Sequence, residues 1–305
     1  MPLCSFNDLF SDADARQPAL SVAVAGGADP TVLEAVRVAC SRKWIRPLLA
    51  GNVAAIRRVA DESAVSLDGL AIVDADDPAV TAVELVRRGQ ASLLMKGQVA
   101  TPALLHAMLD PMRGLRTKSV ICQVVLMEIQ PTGRRFLLAD TGICIAPTLE
   151  QKSDILRRCV DVAHALGEAN PRVAVMAATE TVHEAMPETL DAAELQRRGE
   201  AGEFPGCIVE GPLSFDLAYA AEAAEKKRIG GGVAGSADIL LFPNLLAANL
   251  TVKAIMYTAD CRFGGILCGA ACPVVFMSRA DTTETRMRSL ALALCLCERP
   301  RVSPT

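Results

Sequence analysis

Three segments of the chain place phosphate-binding residue types where an apolar run stops. In LLMKGQVATP, residues 93–102, a lysine closes the run, Gly97 follows, and Thr101-Pro102 opens a helical pattern. Open α/β sheets take ligands beyond such strand ends, and the N–H groups of the following helix attract anions. Lys96 and Thr101 can therefore hold a phosphate group, although the same residues also read as a solvated lysine and an N-cap. In PVVFMSRADTTE, residues 273–284, a buried run delivers Ser278 and Arg279 just ahead of a helix. Arginine offers a planar, bidentate fork for phosphate, and serine adds a neutral donor. Asp281 and Glu284 have capping-box spacing, and a cap is the preferred reading of Asp281. In DILLFPNLLAAN, residues 238–249, the run stops at Pro243-Asn244, and a helix carries Asn249 and Lys253. Two amides and a cation suit polar ligand recognition, or else Asn244 caps the helix and Lys253 is solvated.

Weaker candidates follow other apolar runs: Asp140-Thr-Gly142, and Glu210-Gly-Pro-Leu-Ser-Phe-Asp216. The glycines at 230–232 and 235 lack dinucleotide-fingerprint spacing and read as turns. His106, His164 and His183 have no spaced ligand partners, so no metal site is expected. Cys207 reads as an inert buried thiol.

The elements that must position these groups alternate. LSVAVAGGADPTVLEAVRVACSRKWIRPLLAGN, from Leu20, is a βαβ unit. A helix near Val53–Ala60, the strand LAIVDA, a helix over residues 78–89 and the strand SLLMKG continue it. Apolar runs 119–129 and 135–140, joined through Pro131-Thr-Gly, predict a β-hairpin. PTLEQKSDILRRCVDVAHALG predicts an amphipathic helix buried through Ile155, Cys159, Val162, Ala163 and Leu166, with Gly167 at its C-terminal cap. Further strands at PRVAVMAAT, GCIVEG and DILLFPN alternate with helices near 190–198 and 215–227. PVVFMS and a helix over 281–297 return to the first domain. A parallel sheet covered by helices on both faces is the economical architecture.

At 305 residues the chain exceeds one ordinary core. Its 51% hydrophobic and 4% aromatic content means a core of Ala, Val, Leu and Ile, as in buried parallel strands. A net charge of -4 offers no general attraction for nucleic acid or an anionic membrane, so an anionic ligand needs a local site. The 11 cysteines, without CxxC pairs, read as free thiols in a reducing compartment. The N-terminal residues lack a signal-peptide pattern and no stretch is apolar enough to span a bilayer, so cytoplasmic residence is expected.

Taken in order, LLMKGQVAT, DTGICIAPTLEQK, GCIVEGPLSFDLA, ADILLFPNLLAANLTVK and PVVFMSRADTTET resemble the phosphate acetyltransferase and phosphate butyryltransferase family, in its short butyryl-type form. The resemblance covers nearly all of the chain after about residue 90. It implies an α/β fold of two three-layer αβα domains, each with a mostly parallel sheet, of the isocitrate and isopropylmalate dehydrogenase type. Domains of 1–145 plus 270–305 and of 146–269, with the active-site cleft between them, are expected. It further implies homodimers and no permanently bound cofactor or metal, with acyl-CoA and inorganic phosphate as substrates. Ser278 and Arg279 would meet the acyl phosphate; Lys96, Thr101, Asn244 and Asn249 would line the cleft, with Asp216 and Lys253 beside them.

Departures bear on the base that takes the thiol proton. Acetyl-type members carry an aspartate seven residues after the motif serine, where this chain has Thr285, leaving Glu284, Asp281 or Asp216 as substitutes. Ala248 and Glu210 stand where family members commonly have Gly and Asp. A noncatalytic CoA-binding homologue and a long-chain phosphate acyltransferase are the alternatives. A decarboxylating dehydrogenase would need an acidic metal cluster and a nicotinamide site that the sequence lacks.

Overall fold

The computed structural model describes residues 2–278 and 281–297. It divides into a terminal unit, Phe6–Ser119 with Gly264–Thr305, and a central unit, Met1–Ser5 with Val120–Phe263. The terminal unit runs α1 (Phe6–Ala15), β1 (Leu20–Ala25), α2 (Pro30–Ser41), β2 (Ile45–Gly51), α3 (Val53–Glu62), β3 (Ala71–Asp74), α4 (Pro78–Arg87), β4 (Leu93–Lys96) and α5 (Thr101–Leu109). The central unit runs β5 (Cys122–Ile129), β6 (Arg134–Ala139), α6 (Leu149–Ala165), β7 (Arg172–Met176), α7 (Pro187–Glu200), β8 (Ile208–Leu213), α8 (Phe215–Tyr219), α9 (Ala221–Lys227), β9 (Ile239–Leu241) and α10 (Leu245–Thr258). The strand β10 (Cys261–Cys268) carries the chain back to β11 (Val274–Val275) and α11 (Thr283–Leu296).

In the terminal unit the strand order is β3-β2-β1-β4-β11-β10. The first five are parallel, and β10 is antiparallel to β11. The chain leaves β1 towards β2 and β3, then returns to β4 on its other side, so the β1/β4 pair is the topological switch point. The strands LSVAVA and LLMK bury nearly every side chain because helices cover both faces. Helices α2, α3 and α4 start where Asp29, Asn52 and Asp77 accept backbone N–H groups, with Pro30 and Pro78 preset for the first turn.

In the central unit the order is β5-β6-β9-β7-β8, with β6, β9, β7 and β8 parallel. The β5–β6 hairpin forms as expected. The expected boundary at 145/146 moves to 119/120 because the hairpin is built into this sheet: β6 pairs along β9 from Leu137↔Ile239 to Ala139↔Leu241. The return falls at 263/264, inside β10, rather than at 269/270. Phe136, Leu138, Leu217, Leu240 and Phe242 form the core between sheet and helices. Helix α6 buries Ile155, Cys159, Val162 and Ala163, and its Thr148–Gln151 capping box sets its start. The expected helix over 215–227 is broken at Ala220, whose extended backbone separates α8 from α9.

Candidate functional site

The carboxyl ends of the terminal unit's parallel strands carry the first group of candidates. Lys96 ends β4 opposite Ala25 of β1 and is 2% exposed. Just beyond, Gly97 N–H donates to the Ala25 carbonyl at 2.9 Å and Gln98 N–H to the Gly26 carbonyl at 2.7 Å. A Cβ on Gly97 would stand 2.1 Å from the Gly26 oxygen, and one on Gly26, whose φ is +83°, would stand 2.7 Å from the Gln98 oxygen. Only glycine lets these strand-end loops lie backbone on backbone, which fixes Lys96 at the switch point. Ala100, not Thr101, is the N-cap of α5; Thr101 is its first helical residue. The Thr101 hydroxyl makes no hydrogen bond among the described residues.

Ser278 lies three residues past β11 on the same edge and is exposed. Arg279 lies outside the described residues. The cap expected of Asp281 falls instead to Thr282, whose hydroxyl accepts from Thr285 N–H. Asp281 turns back along the loop, and its carboxylate accepts the Ser278 N–H at 2.6 Å. Glu284 is exposed and pairs with Arg288 at 2.7 Å. Thr285, at the position of the acetyl-type aspartate, is buried and shares a 3.1 Å hydroxyl contact with Thr282.

The residue that sequence reasoning missed is Arg286, 2% exposed on α11. Burial lowers the pKa of its guanidinium, and the negative fields of Asp29 and Asp281 act against that. A signal existed: Arg286 shares the buried face of α11 with Ser289, Leu290 and Ala293, at helical spacings of three, four and seven.

In the central unit, Asp140 follows β6 and is 3% exposed. Its carboxylate accepts N–H bonds from Gln123, Gly142, Ile143 and Cys144 at 2.7–3.1 Å. The Cys144 thiol is pushed up to about 12 by burial and then by this carboxylate. Burial likewise pushes Cys207 up to about 11. Asn244 caps α10 by accepting from Ala247 N–H at 3.0 Å, and Asn249 donates to the Thr141 carbonyl at 3.1 Å. The Thr141 hydroxyl is buried without a partner among the described residues. Lys253 is exposed. Asp216 is the second residue of α8, where the Ser214 hydroxyl at 2.5 Å and then Lys227 at 3.2 Å hold its carboxyl below the usual carboxylate range.

A hollow of about 240 Å³ elsewhere in this unit is lined by Arg134, Arg172 and Asp238. Arg135 lines it too; Arg172 is forked onto Asp238 at 2.8 and 2.9 Å, and Arg134 donates to the carbonyls of Tyr219, Gly235 and Ala237. Among the described residues no cluster of His, Cys, Asp or Glu is arranged to hold a metal ion, and no helix is long and apolar enough to cross a membrane.

Residues 75–294 match the family model described as "Phosphate acetyl/butaryl transferase". The chain is 40% identical over 292 residues to the phosphate butyryltransferase of Clostridium acetobutylicum, covering 95% of this chain and 97% of that protein. It is 39% identical to the phosphate acetyltransferase of Thermotoga maritima, covering 92% and 96%. Among solved structures, a branched-chain phosphotransacylase from Enterococcus faecalis superposes with a TM-score of 0.81 at 31% identity, covering 92% of this chain and 100% of that one. A phosphotransacetylase from Streptococcus pyogenes, at 21% identity and a TM-score of 0.82 over 97% of this chain and 100% of that one, has the same mixed α/β fold.

Proposed function

Because the chain belongs to the phosphate acetyl/butyryl transferase family, we propose that it moves a short acyl group between coenzyme A and inorganic phosphate. The observation that carries this reading is a buried lysine at the switch point of a parallel sheet, on the strand-end edge that also presents Ser278. A buried cation among helix N-termini suits phosphate.

In the forward direction a phosphate oxygen attacks the thioester carbonyl. The new C–O bond forms, charge gathers on the carbonyl oxygen, and the C–S bond then breaks to release CoA, which is protonated. In reverse, the thiol loses its proton and attacks the acyl phosphate. Lys96 and Arg279 hold the phosphate, and Ser278 donates to the developing oxyanion. Of the three carboxylates that could replace the aspartate absent at Thr285, Asp281 stands on the Ser278 loop, so we assign it the thiol proton. Glu284 is turned to Arg288 and Asp216 to Lys227, which leaves Glu284 in a supporting role and Asp216 among the substrate-binding set with Thr101, Asn244, Asn249 and Lys253. Both substrates bind before transfer, without an acyl-enzyme.

CoA enters as a substrate, and no cofactor is held permanently. Eleven cysteines without CxxC pairs and a thioester substrate suit a reducing cytoplasm, where the protein acts as a homodimer, as the family resemblance implies. The test follows thioester loss from acetyl-, propionyl-, butyryl- and isobutyryl-CoA with and without phosphate. Phosphate-dependent loss matched by acyl phosphate is expected; CoA binding without turnover of any of them would overturn the reading.

A further inference from the structure

Both polar main-chain atoms of Ser278 are held. Its N–H donates to Asp281 at 2.6 Å, and its carbonyl accepts from Asp281 N–H at 3.2 Å and from Arg286 Nη2 at 3.3 Å. The same guanidinium donates through Nε to Thr31 Oγ1 at 3.1 Å, and Thr31 donates to Asp29 Oδ1 at 2.7 Å. Asp29 is the N-cap of α2, the helix that follows the Gly26–Gly27 loop. One buried side chain thus ties the Ser278 peptide to the first βα loop of the sheet, the loop that also locks Gly97 behind Lys96.

Helix α11 grips the loop at a second point. Ser289, fully buried, donates to the Met277 sulfur at 2.8 Å and accepts the Gly265 N–H at 2.9 Å. Packing alone would have been served by an apolar residue at 286, since burying a guanidinium is costly unless its charge is answered. Arg286 makes no ion pair among the described residues, and Asp29 and Asp281 answer it only through space. What the guanidinium supplies is its fork, which fixes two acceptors on different elements, the Ser278 carbonyl and the Thr31 hydroxyl in the first turn of α2.

We propose that Arg286 is a positioning residue for acyl transfer: it fixes the Ser278 carbonyl, and with it the direction of the Ser278 side chain, against the α2 N-terminus. This rests on the role given to Ser278 above. Arg286 does not touch substrate; it acts through the Ser278 peptide.

The test measures steady-state kinetics with phosphate and acyl-CoA varied separately, together with melting temperature, for the wild type, Arg286→Met, Arg286→Lys and Thr31→Val. Arg286→Met is expected to lower kcat per folded enzyme roughly 10- to 100-fold, while the KM for acyl-CoA stays within about twofold. Arg286→Lys, which can reach one acceptor but not both, regains part of the loss. Thr31→Val lowers kcat in the same sense by about threefold to tenfold. A merely structural role would lower melting temperature and active fraction without moving kcat per folded enzyme. Arg286→Met with wild-type kcat overturns the proposal. Should Arg286→Met fail to fold, Thr31→Val decides: a lowered kcat supports the proposal and an unchanged one overturns it. A wild type without phosphate-dependent turnover defeats the proposed function, and this inference with it, and is distinct from an active wild type that Arg286→Met leaves untouched.

Discussion

In the central unit, the polar side chains at the strand ends are occupied by the chain itself. Asp140 takes four backbone N–H groups, Asn244 caps α10, and Asn249 holds the Thr141 carbonyl. At the β4 and β11 ends of the terminal unit the main chain is held differently: the Gly26 and Gly97 loops bond main chain to main chain, and Asp281 with Arg286 clamps the Ser278 peptide. At these two strand ends glycine contacts and a helix-borne arginine fix the loops. Where carboxylate and amide side chains fix a loop, their first duty is folding. The β4 and β11 ends of the terminal unit are accordingly where the proposed function places the transfer chemistry.

Five experiments break or sharpen this contrast. The largest effect is expected from Gly97→Ala, whose Cβ meets backbone 2.1 Å away. It should cost about 3 kcal/mol or more in urea unfolding and abolish turnover. The counterpart Gly142→Ala places its Cβ 1.9 Å from the Gln123 Oε1, the end of a flexible side chain, and should cost under about 1 kcal/mol. Equal costs for the two would erase the distinction between backbone-fixed and side-chain-fixed loops.

Lys96→Met should lower kcat/KM for phosphate roughly 100-fold, a loss well beyond any fall in the folded fraction. A large stability loss with intact kinetics would make Lys96 a structural residue. Asp140→Asn should show the reverse pattern. It replaces an acceptor oxygen with a donor facing N–H groups and should cost about 2 kcal/mol in unfolding, with turnover falling only as far as folded protein is lost.

Asn244→Ala removes the α10 cap and should cost about 1 kcal/mol. A large kinetic loss at full stability would instead give Asn244 a direct ligand role. The smallest effect concerns the raised thiols. Cys144 and Cys207 bind their protons more tightly folded than unfolded, so their contribution to stability is complete below the ordinary thiol pKa near 9.0 and is lost as pH rises through about 11 for Cys207 and about 12 for Cys144. Alkylation followed by mass spectrometry at pH 8 should find both lagging behind thiols of ordinary pKa, and rapid modification of either would contradict that.

The alternating pattern was readable because buried parallel strands are short apolar runs and helices begin at Asp-Pro or Asn signals. LSVAVA, LLMK and ILL all form strands at those runs, and the Pro131-Thr-Gly turn makes its hairpin. Boundaries were harder to read. The 145/146 division ignored the pairing of β6 with β9, a contact between residues a hundred positions apart that no local pattern encodes. The strand β10 and the helix α1 were missed, the former because Cys261–Cys268 mixes polar residues and glycines, the latter because FNDLFSDADA reads as polar.

At the candidate site, residue types at strand ends were legible, but the division of labour among them was not. Asp281 and Thr282 both suit an N-cap, and only the turn of the loop gives the cap to Thr282 and frees Asp281 for the Ser278 N–H. Arg286 was passed over because a charge in a helix ordinarily faces water, whereas its spacing to Ser289, Leu290 and Ala293 placed it on the buried face.

Phosphate-dependent turnover of Ser278→Ala, measured beside its melting temperature, decides whether the Ser278 edge carries the chemistry. Ser278 is exposed, and alanine keeps the main-chain bonds to Asp281 and Arg286, so stability should change little while kcat falls roughly 100- to 1,000-fold through loss of the oxyanion donor. Wild-type turnover in this variant would contradict the account and remove the Ser278 edge from the chemistry.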